Sequence, residues 1–202
     1  AIFITDGSTI ALPDVLKEEF PGCGGDGPDA ALKVQLTFEF LHGVIAGITF
    51  QSGRSPDQAY AGDLQSILPG SLHLTDLGYF VLARFRRINE QKAYFLSRFD
   101  AKTALFDAAT GEPLDLLDWL RAHPESRFEQ EVLVGRHERL RCRMVVVRVP
   151  QEVADQRRRK AYETARRKGR TPSARHLELM NWTPQASSSR TYLRRCFRYN
   201  RW

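Results

Sequence analysis

The sequence predicts an α/β domain, a sheet with helices on its faces, that passes into a β-rich block. Three observations carry this. Up to residue 99, stretches of strand-like and helix-like periodicity alternate. After residue 100, short apolar strands follow one another through turn sequences such as ATGEP. The length of 202 residues, 42% of them hydrophobic and 27% charged, is enough to bury a full core.

Residues 1–5 (AIFIT) read as a buried strand ended by Asp6-Gly7-Ser8, and Pro13-Asp14 opens a helix of about two turns from Asp14 to Phe20. The segment from Pro21 to Asp29 is a loop. Strands follow over Lys33–Leu41 and Val44–Phe50, with His42-Gly43 as a hairpin turn. Ser55-Pro56-Asp57 is a helix-start signal, so Asp57 to Ile67 is expected to be helical until Pro69-Gly70 breaks it. Ser71–Thr75 alternates as a strand ending on Asp76. Tyr79–Asn89 has helical spacing, and Ala93–Phe99 is a further strand. Beyond it lie strands at Thr103–Phe106, Phe128–Val134 and Arg141–Val149, with a short helix near Leu114–Ala122. The expected division is 1–100 for the core, 101–180 for the β-rich insertion with a basic helix, and 181–202 for a polar tail.

Composition excludes several classes. No apolar run approaches the roughly 18 residues a membrane helix requires, and AIFITDG lacks a signal-peptide pattern. Cys23, Cys142 and Cys196 form no CxxC pair and are too dispersed for a disulfide framework, so a reduced cytosolic compartment is expected. The chain opens at Ala1 directly on a strand, and a preceding portion is expected.

Charge is divided unevenly. Residues 1–150 hold 16 Lys and Arg against 20 Asp and Glu, whereas residues 151–202 hold 14 against 4. The densest stretch is QRRRKAYETARRKGR, with Arg157, Arg158, Arg159, Lys160, Arg166, Arg167, Lys168 and Arg170. On a helix these cover most of the circumference, so the segment is either a solvated basic helix or one that contacts the phosphates of a nucleic acid.

Two carboxylates sit where chemistry collects. Asp6 and Asp76 each end a predicted strand, and each is followed within two residues by Gly. In open α/β sheets reactive groups gather at the carboxyl ends of strands. If the two strands are neighbours, the carboxylates converge as hard oxygen ligands suited to Mg²⁺ or Mn²⁺. An Asp before Gly is also an ordinary turn residue.

ITDGSTIALP, ALKVQLTFEFLHGVIAGITF, DLGYF and AYFLSRF, in that order, resemble the catalytic core of bacterial insertion-sequence DDE transposases of the cut-and-paste type. The resemblance covers residues 1 to about 182 and implies an RNase H-like mixed sheet flanked by helices, with a β-strand insertion. It places the first family Asp at Asp6, with Ser8 as the hydroxyl residue, and the second at Asp76 in Asp76-Leu77-Gly78-Tyr79. It further implies catalysis and metal binding by Asp6 and Asp76 with Mg²⁺ or Mn²⁺. The implied partners are double-stranded DNA, as transposon ends and target, and a second protomer in the full-length protein. Arg98 follows the family's strand-end Arg and is a candidate for the DNA backbone, alongside the basic segment.

The family completes its metal site with a Glu in a Tyr-x-x-Arg…Glu…Lys signature. Here Tyr192 and Arg195 have the spacing, but Tyr199 stands where the Glu belongs, and Arg201-Trp202 mimics the run-up to it. The third acid is therefore absent, and the tail reads as truncated or frame-shifted. Glu178 precedes the strand that should come before the catalytic helix and reads as a surface acid. The five His share no metal-ligand spacing. Trp119, Phe80, Phe85 and Phe95 read as core, and Asp57 and Asp63 as helix-start and helix-surface residues. Two functions stay open: a metal-dependent transposase fragment, or an inactive relic that at most binds DNA. No phosphate loop or GxSxG elbow supports an unrelated hydrolase.

Overall fold

The computed structural model describes residues 1–24, 27–65 and 67–188. The chain divides into two units, Ala1–Ser97 and Arg98–Trp202.

The first unit is built on β1 (Ile2–Leu12), β2 (Ala30–Glu39), β3 (Val44–Ser52), β4 (Leu72–Thr75) and β5 (Tyr94–Arg98), in the spatial order β3-β2-β1-β4-β5. β1, β2 and β3 are antiparallel neighbours, whereas β4 pairs parallel with both β1 and β5. This mixed sheet is RNase H-like. The β2–β3 turn falls where His42-Gly43 predicts it, with Gly43 at φ 69°, a conformation that favours a residue without Cβ. Glu39 secures that corner: its carboxylate accepts from the backbone N–H of Ile2 at 3.0 Å and of His42 at 2.9 Å.

Helix α1 (Leu82–Glu90) connects β4 to β5 and turns Phe85 and Ile88 into the core. The Phe85 ring stacks on Phe95 at 4.2 Å, and Phe80 meets Phe85 edge-on at 5.1 Å. The expected core roles of these three aromatics hold, since Phe85 and Phe95 have no exposed surface and Phe80 has 8%. Arg84 is also buried on this helix. Its guanidinium pairs with the fully buried Asp63 carboxylate and donates to the Tyr60 carbonyl at 2.9 Å.

The structure corrects three element boundaries. β1 continues past Asp6 to Leu12, because the long antiparallel partner β2 keeps bonding through Asp6↔Leu36 to Leu12↔Ala30; the Asp6-Gly7-Ser8 turn is not formed. The helix expected from Asp14 to Phe20 is one 3₁₀ turn, Asp14–Leu16, with no buried residue to hold a longer one. The helix expected from Asp57 to Ile67 is two 3₁₀ turns, Asp57–Ala59 and Gly62–Leu64. The break at Tyr60-Ala61 lets Tyr60 bury its ring and aims Asp63 inward, so Asp63 is an ion-pair residue rather than a helix-surface one.

The second unit contains β6 (Leu105–Asp107), β7 (Pro113–Leu114), α2 (Leu116–Arg121), β8 (Arg127–Val134), β9 (Leu140–Arg148), α3 (Gln151–Arg167), α4 (Ala174–Leu179) and β10 (Trp182–Ser187). Its strands lie in the order β10-β9-β8-β6-β7, antiparallel throughout. The core is Leu120, Val132, Val134, Cys142, Met144 and Val146, with Trp119 at its rim. Asp115 caps α2 by accepting from Leu117 and Asp118 N–H at 2.9 and 3.1 Å. No helix among the described residues is long and apolar enough to cross a membrane.

Candidate active site

Asp6 and Asp76 are brought together by the parallel pairing of β1 with β4. The register runs Ile2↔Leu72, Phe3↔His73, Ile4↔Leu74 and Thr5↔Thr75, so the next residue on each chain is an aspartate. Both side chains are exposed. Each is oriented by a nearby glycine: Gly7 N–H donates to Asp6 Oδ1 at 2.9 Å, and Gly78 N–H donates to Asp76 Oδ1 at 2.8 Å. The second bond makes Asp76 the N-cap of a 3₁₀ turn, Leu77–Tyr79, which carries the chain away from the sheet.

That turn drives Tyr79 into the core beside β2. Its hydroxyl donates to the buried Gln35 amide oxygen, and Gln35 Nε2 donates to Asp57 Oδ1 at 3.1 Å. Burial, then the charges of Asp57, Asp6 and Asp76, push the Tyr79 phenol well above its ordinary range. Tyr79 therefore stays a neutral donor beneath three carboxylates. A Cβ on Gly7 would lie 2.9 Å from Tyr79 Oη, 3.0 Å from Asp57 Oδ1 and 3.1 Å from Gln35 Oε1. A Cβ on Gly78 would lie 3.1 Å from both Asp57 Oδ2 and Asp76 Oδ1. Both glycines are thus explained by the space their neighbours occupy.

The donor set at Asp6 and Asp76 fits a hard divalent cation: exposed carboxylate oxygens, with a cradle at Gly78 that a methyl group would fill. Among the described residues no three His, Cys, Asp or Glu side chains are close enough to ligate one ion together. Glu178 is held by Arg121 through two bonds of 2.8 and 2.6 Å. Tyr192, Arg195, Tyr199, Arg201 and Trp202 lie outside the described residues.

Sequence reasoning missed Asp57, Lys33, Gln35 and Tyr79. Ser-Pro-Asp reads as a helix start, yet the Asp57 side chain makes no cap bond and instead pairs with Lys33 Nζ at 3.0 Å. Lys33, Gln35, Thr37 and Glu39 alternate with Leu32, Val34, Leu36 and Phe38 on β2, a pattern that reads as an ordinary solvent-facing polar row, whereas the structure buries Gln35, Thr37 and Glu39.

The basic segment forms most of α3. Arg159, Lys160, Arg166, Arg167, Lys168 and Arg170 are exposed. Arg157 and Arg158 are half-buried and bonded within the second unit. Arg157 donates to the Trp182 carbonyl at 3.2 Å and Thr183 Oγ1 at 3.0 Å, and Arg158 donates to Asp155 and Asn181. Arg98, the last residue of β5, is exposed.

Known proteins resemble this chain along most of its length. The family described as "Transposase DDE domain" matches residues 1–191. The transposase for insertion sequence element IS231B of Bacillus thuringiensis subsp. berliner is 26% identical over 196 residues, covering 88% of this chain and 41% of that protein. The transposase for IS231D of Bacillus thuringiensis subsp. finitimus is 25% identical with the same coverage. The transposase for IS1151 of Clostridium perfringens is 32% identical over 106 residues, 52% of this chain and 22% of that protein. The chain thus spans about two fifths of the length of the IS231 relatives. With the family match spanning nearly all its residues, this chain belongs to the transposase DDE domain family.

Proposed function

We propose that the protein containing this chain cuts and joins DNA phosphodiesters at a site organised by Asp6 and Asp76. The observation that carries this is the β1–β4 register, whose last pair, Thr5↔Thr75, immediately precedes Asp6 on one strand and Asp76 on the other. When bound by these two residues, a divalent cation, Mg²⁺ or Mn²⁺, supplies Lewis acidity at the scissile phosphate. The Gly7 and Gly78 amides fix the two carboxylates, and the buried Tyr79–Gln35 pair holds the floor beneath them. Hydrolysis at the element end frees a 3′-hydroxyl, which then attacks target DNA. The exposed cations of α3, with Arg98, hold the backbone of duplex DNA through salt-sensitive contacts. The substrates are transposon ends and target duplex, met in the bacterial cytoplasm by a homodimer of the full-length protein.

A second reading is a relic that binds DNA without cutting it. It is favoured by the lack of a third ligating side chain at the Asp6–Asp76 site among the described residues. Mn²⁺-dependent nicking of duplex DNA carrying the element's ends decides between them. Nicking that Asp6→Asn and Asp76→Asn each abolish establishes the enzyme. DNA binding with no nicking by the parent chain leaves the relic.

A further inference from the structure

Lys33 and Gln35 are two residues apart on β2 and rise from the same face of the sheet. Lys33 Nζ donates to Asp57 Oδ1 at 3.0 Å and to the Ser55 carbonyl at 2.6 Å, and Gln35 Nε2 donates to the same Oδ1 at 3.1 Å. Gln35 is itself fixed, since it is fully buried and its carbonyl accepts from Tyr79. One oxygen of Asp57 is therefore fully engaged by two donors from a rigid strand.

The other oxygen is not. Among the described residues, Asp57 Oδ2 takes no hydrogen bond. It lies 3.1 Å from the point a Cβ on Gly78 would occupy, and Asp76 Oδ1 lies 3.1 Å from that same point. The two oxygens can be no more than twice that distance apart. Like charges held this near repel, and a cation or its water shell between them would offset that, adding to what the Lys33 ammonium already offsets. Capping does not explain the arrangement, because the 3₁₀ turn at Asp57–Ala59 has Pro56 as its N-cap and no side-chain cap bond.

We propose that Asp57 is a further acid of the divalent-cation site, acting through Oδ2 on a water bound to the cation while Lys33 and Gln35 hold Oδ1. This rests on the reading of Asp6 and Asp76 as the direct ligands. Contact through water rather than direct ligation is the form compatible with there being, among the described residues, no three side chains close enough to ligate one ion. Mg²⁺ and ions like it keep several waters when protein-bound, and those waters need acceptors. Lys33 has a matching role: its ammonium offsets part of the acidic charge gathered at this end of the sheet.

The test is Mn²⁺ binding to the full 202-residue chain, read from the loss of the free-ion electron paramagnetic resonance signal. Titrations are made in about 0.5 M salt, which cuts the Debye length to about 4 Å and removes long-range charge effects. Asp57→Asn is expected to weaken binding about tenfold, the usual scale for losing a group that orients a metal's shell. Lys33→Gln releases Oδ1 from the ammonium and so loosens the network that positions Asp57, but it keeps the acid; its Mn²⁺ affinity is expected to fall clearly less than that of Asp57→Asn. Asp57→Asn with parental affinity, or Lys33→Gln weakened to the same degree as Asp57→Asn, would show that Asp57 is purely structural and overturn the proposal. Asp6→Asn and Asp76→Asn serve as references. If those two weaken binding and Asp57→Asn does not, this inference alone falls. If they too bind Mn²⁺ as the parent does, the metal site itself falls and takes the inference with it.

Discussion

Asp57 and Asp76, 19 positions apart in the sequence, each hold a carboxylate oxygen 3.1 Å from one point in space, and that point is kept empty by the missing side chain of Gly78. Gly78 is not among the glycines with positive φ, so its backbone could carry any residue and only space forbids one. Gly78→Ala is therefore expected to displace one carboxylate or the other. Overpacking of this kind costs about 1–3 kcal/mol, and Mn²⁺-dependent nicking is expected to fall at least about tenfold through the lost alignment. Gly43→Ala is the contrast, because nothing lies within 4 Å of its Cβ position but its φ is 69°. It should lower stability by about 1 kcal/mol through backbone strain and leave nicking unchanged. Urea titration beside a nicking assay separates the two.

The Asp63–Arg84 pair offers a second test. The Asp63 side chain is fully buried and that of Arg84 is 4% exposed. Thr5 Oγ1 donates to Asp63 Oδ2 at 3.0 Å, while Arg84 also donates to the Tyr60 carbonyl. Arg84→Met would strand a buried carboxylate, so a loss of about 3–5 kcal/mol is expected. Combining Arg84→Met with Asp63→Leu removes both charges and should recover most of that loss, because an apolar pair has no desolvation penalty. A double-mutant cycle of unfolding free energies measures the coupling, and strict additivity would refute it.

Why one part of the site was legible in the sequence and another was not follows from these same residues. Asp6 and Asp76 sit in local motifs, and the alternation of strand and helix was enough to make their strands candidates for neighbours. Phe85 and Phe95 follow the same logic, since apolar spacing is read directly as burial. Asp57 and Asp63 escape a local reading because their short segment, opened by Ser-Pro-Asp and followed by Gln, Ala and Leu, has the signals of a helix. What bends it into two 3₁₀ turns is tertiary: a buried Tyr60 ring and a buried Arg84 that must find an anion. β1 exceeded its expected end for a similar reason, as ladder bonds from β2 override the turn preference of Asp-Gly-Ser. β10 forms from the polar WTPQAS because Trp182 and Ala186, which share one of its faces, are both buried.

His73 predicts how stability responds to acid. Ser71 Oγ donates to the Leu68 carbonyl at 2.6 Å, so at 3.0 Å it accepts from His73 Nε2–H. The remaining nitrogen, Nδ1, is buried without a partner among the described residues. Burial, with the Arg84 guanidinium, pushes the imidazole from its ordinary 6.5 down to about 4. The unfolded chain therefore takes up a proton that the folded chain refuses. The stability from neutral His73 is complete above pH 6.5 and is lost as pH falls from 6.5 to about 4, by up to about 3 kcal/mol. Glu39, held at about 2 chiefly by the Ile2 N–H, extends the loss below its ordinary 4.5. His73→Phe should flatten the curve above pH 4.5 and leave the lower limb in place. Unfolding midpoints measured across that range decide it, and an unchanged slope in the variant would count against His73.

The cations of α3 should separate into structural and electrostatic groups. Arg157 is a tie to β10, through Trp182 and Thr183, and its replacement by Ala leaves a half-buried carbonyl and hydroxyl without their donor. Arg157→Ala is expected to cost about 1–3 kcal/mol of stability. Arg166, Arg167, Lys168 and Arg170 are exposed and crowd like charges at the end of α3, so neutralising them should leave stability within about 0.5 kcal/mol or raise it slightly. Their effect belongs to DNA. Each phosphate contact removed lowers the slope of log affinity against log salt by about 0.9, so the fourfold Gln variant should bind duplex DNA more weakly and with a much shallower salt dependence. The discriminating outcome is a crossed pattern: Arg157→Ala moves the unfolding midpoint with little change in the salt slope, and the fourfold variant does the reverse. A fourfold variant that keeps the parental slope would show that these residues stay in solvent when DNA is bound.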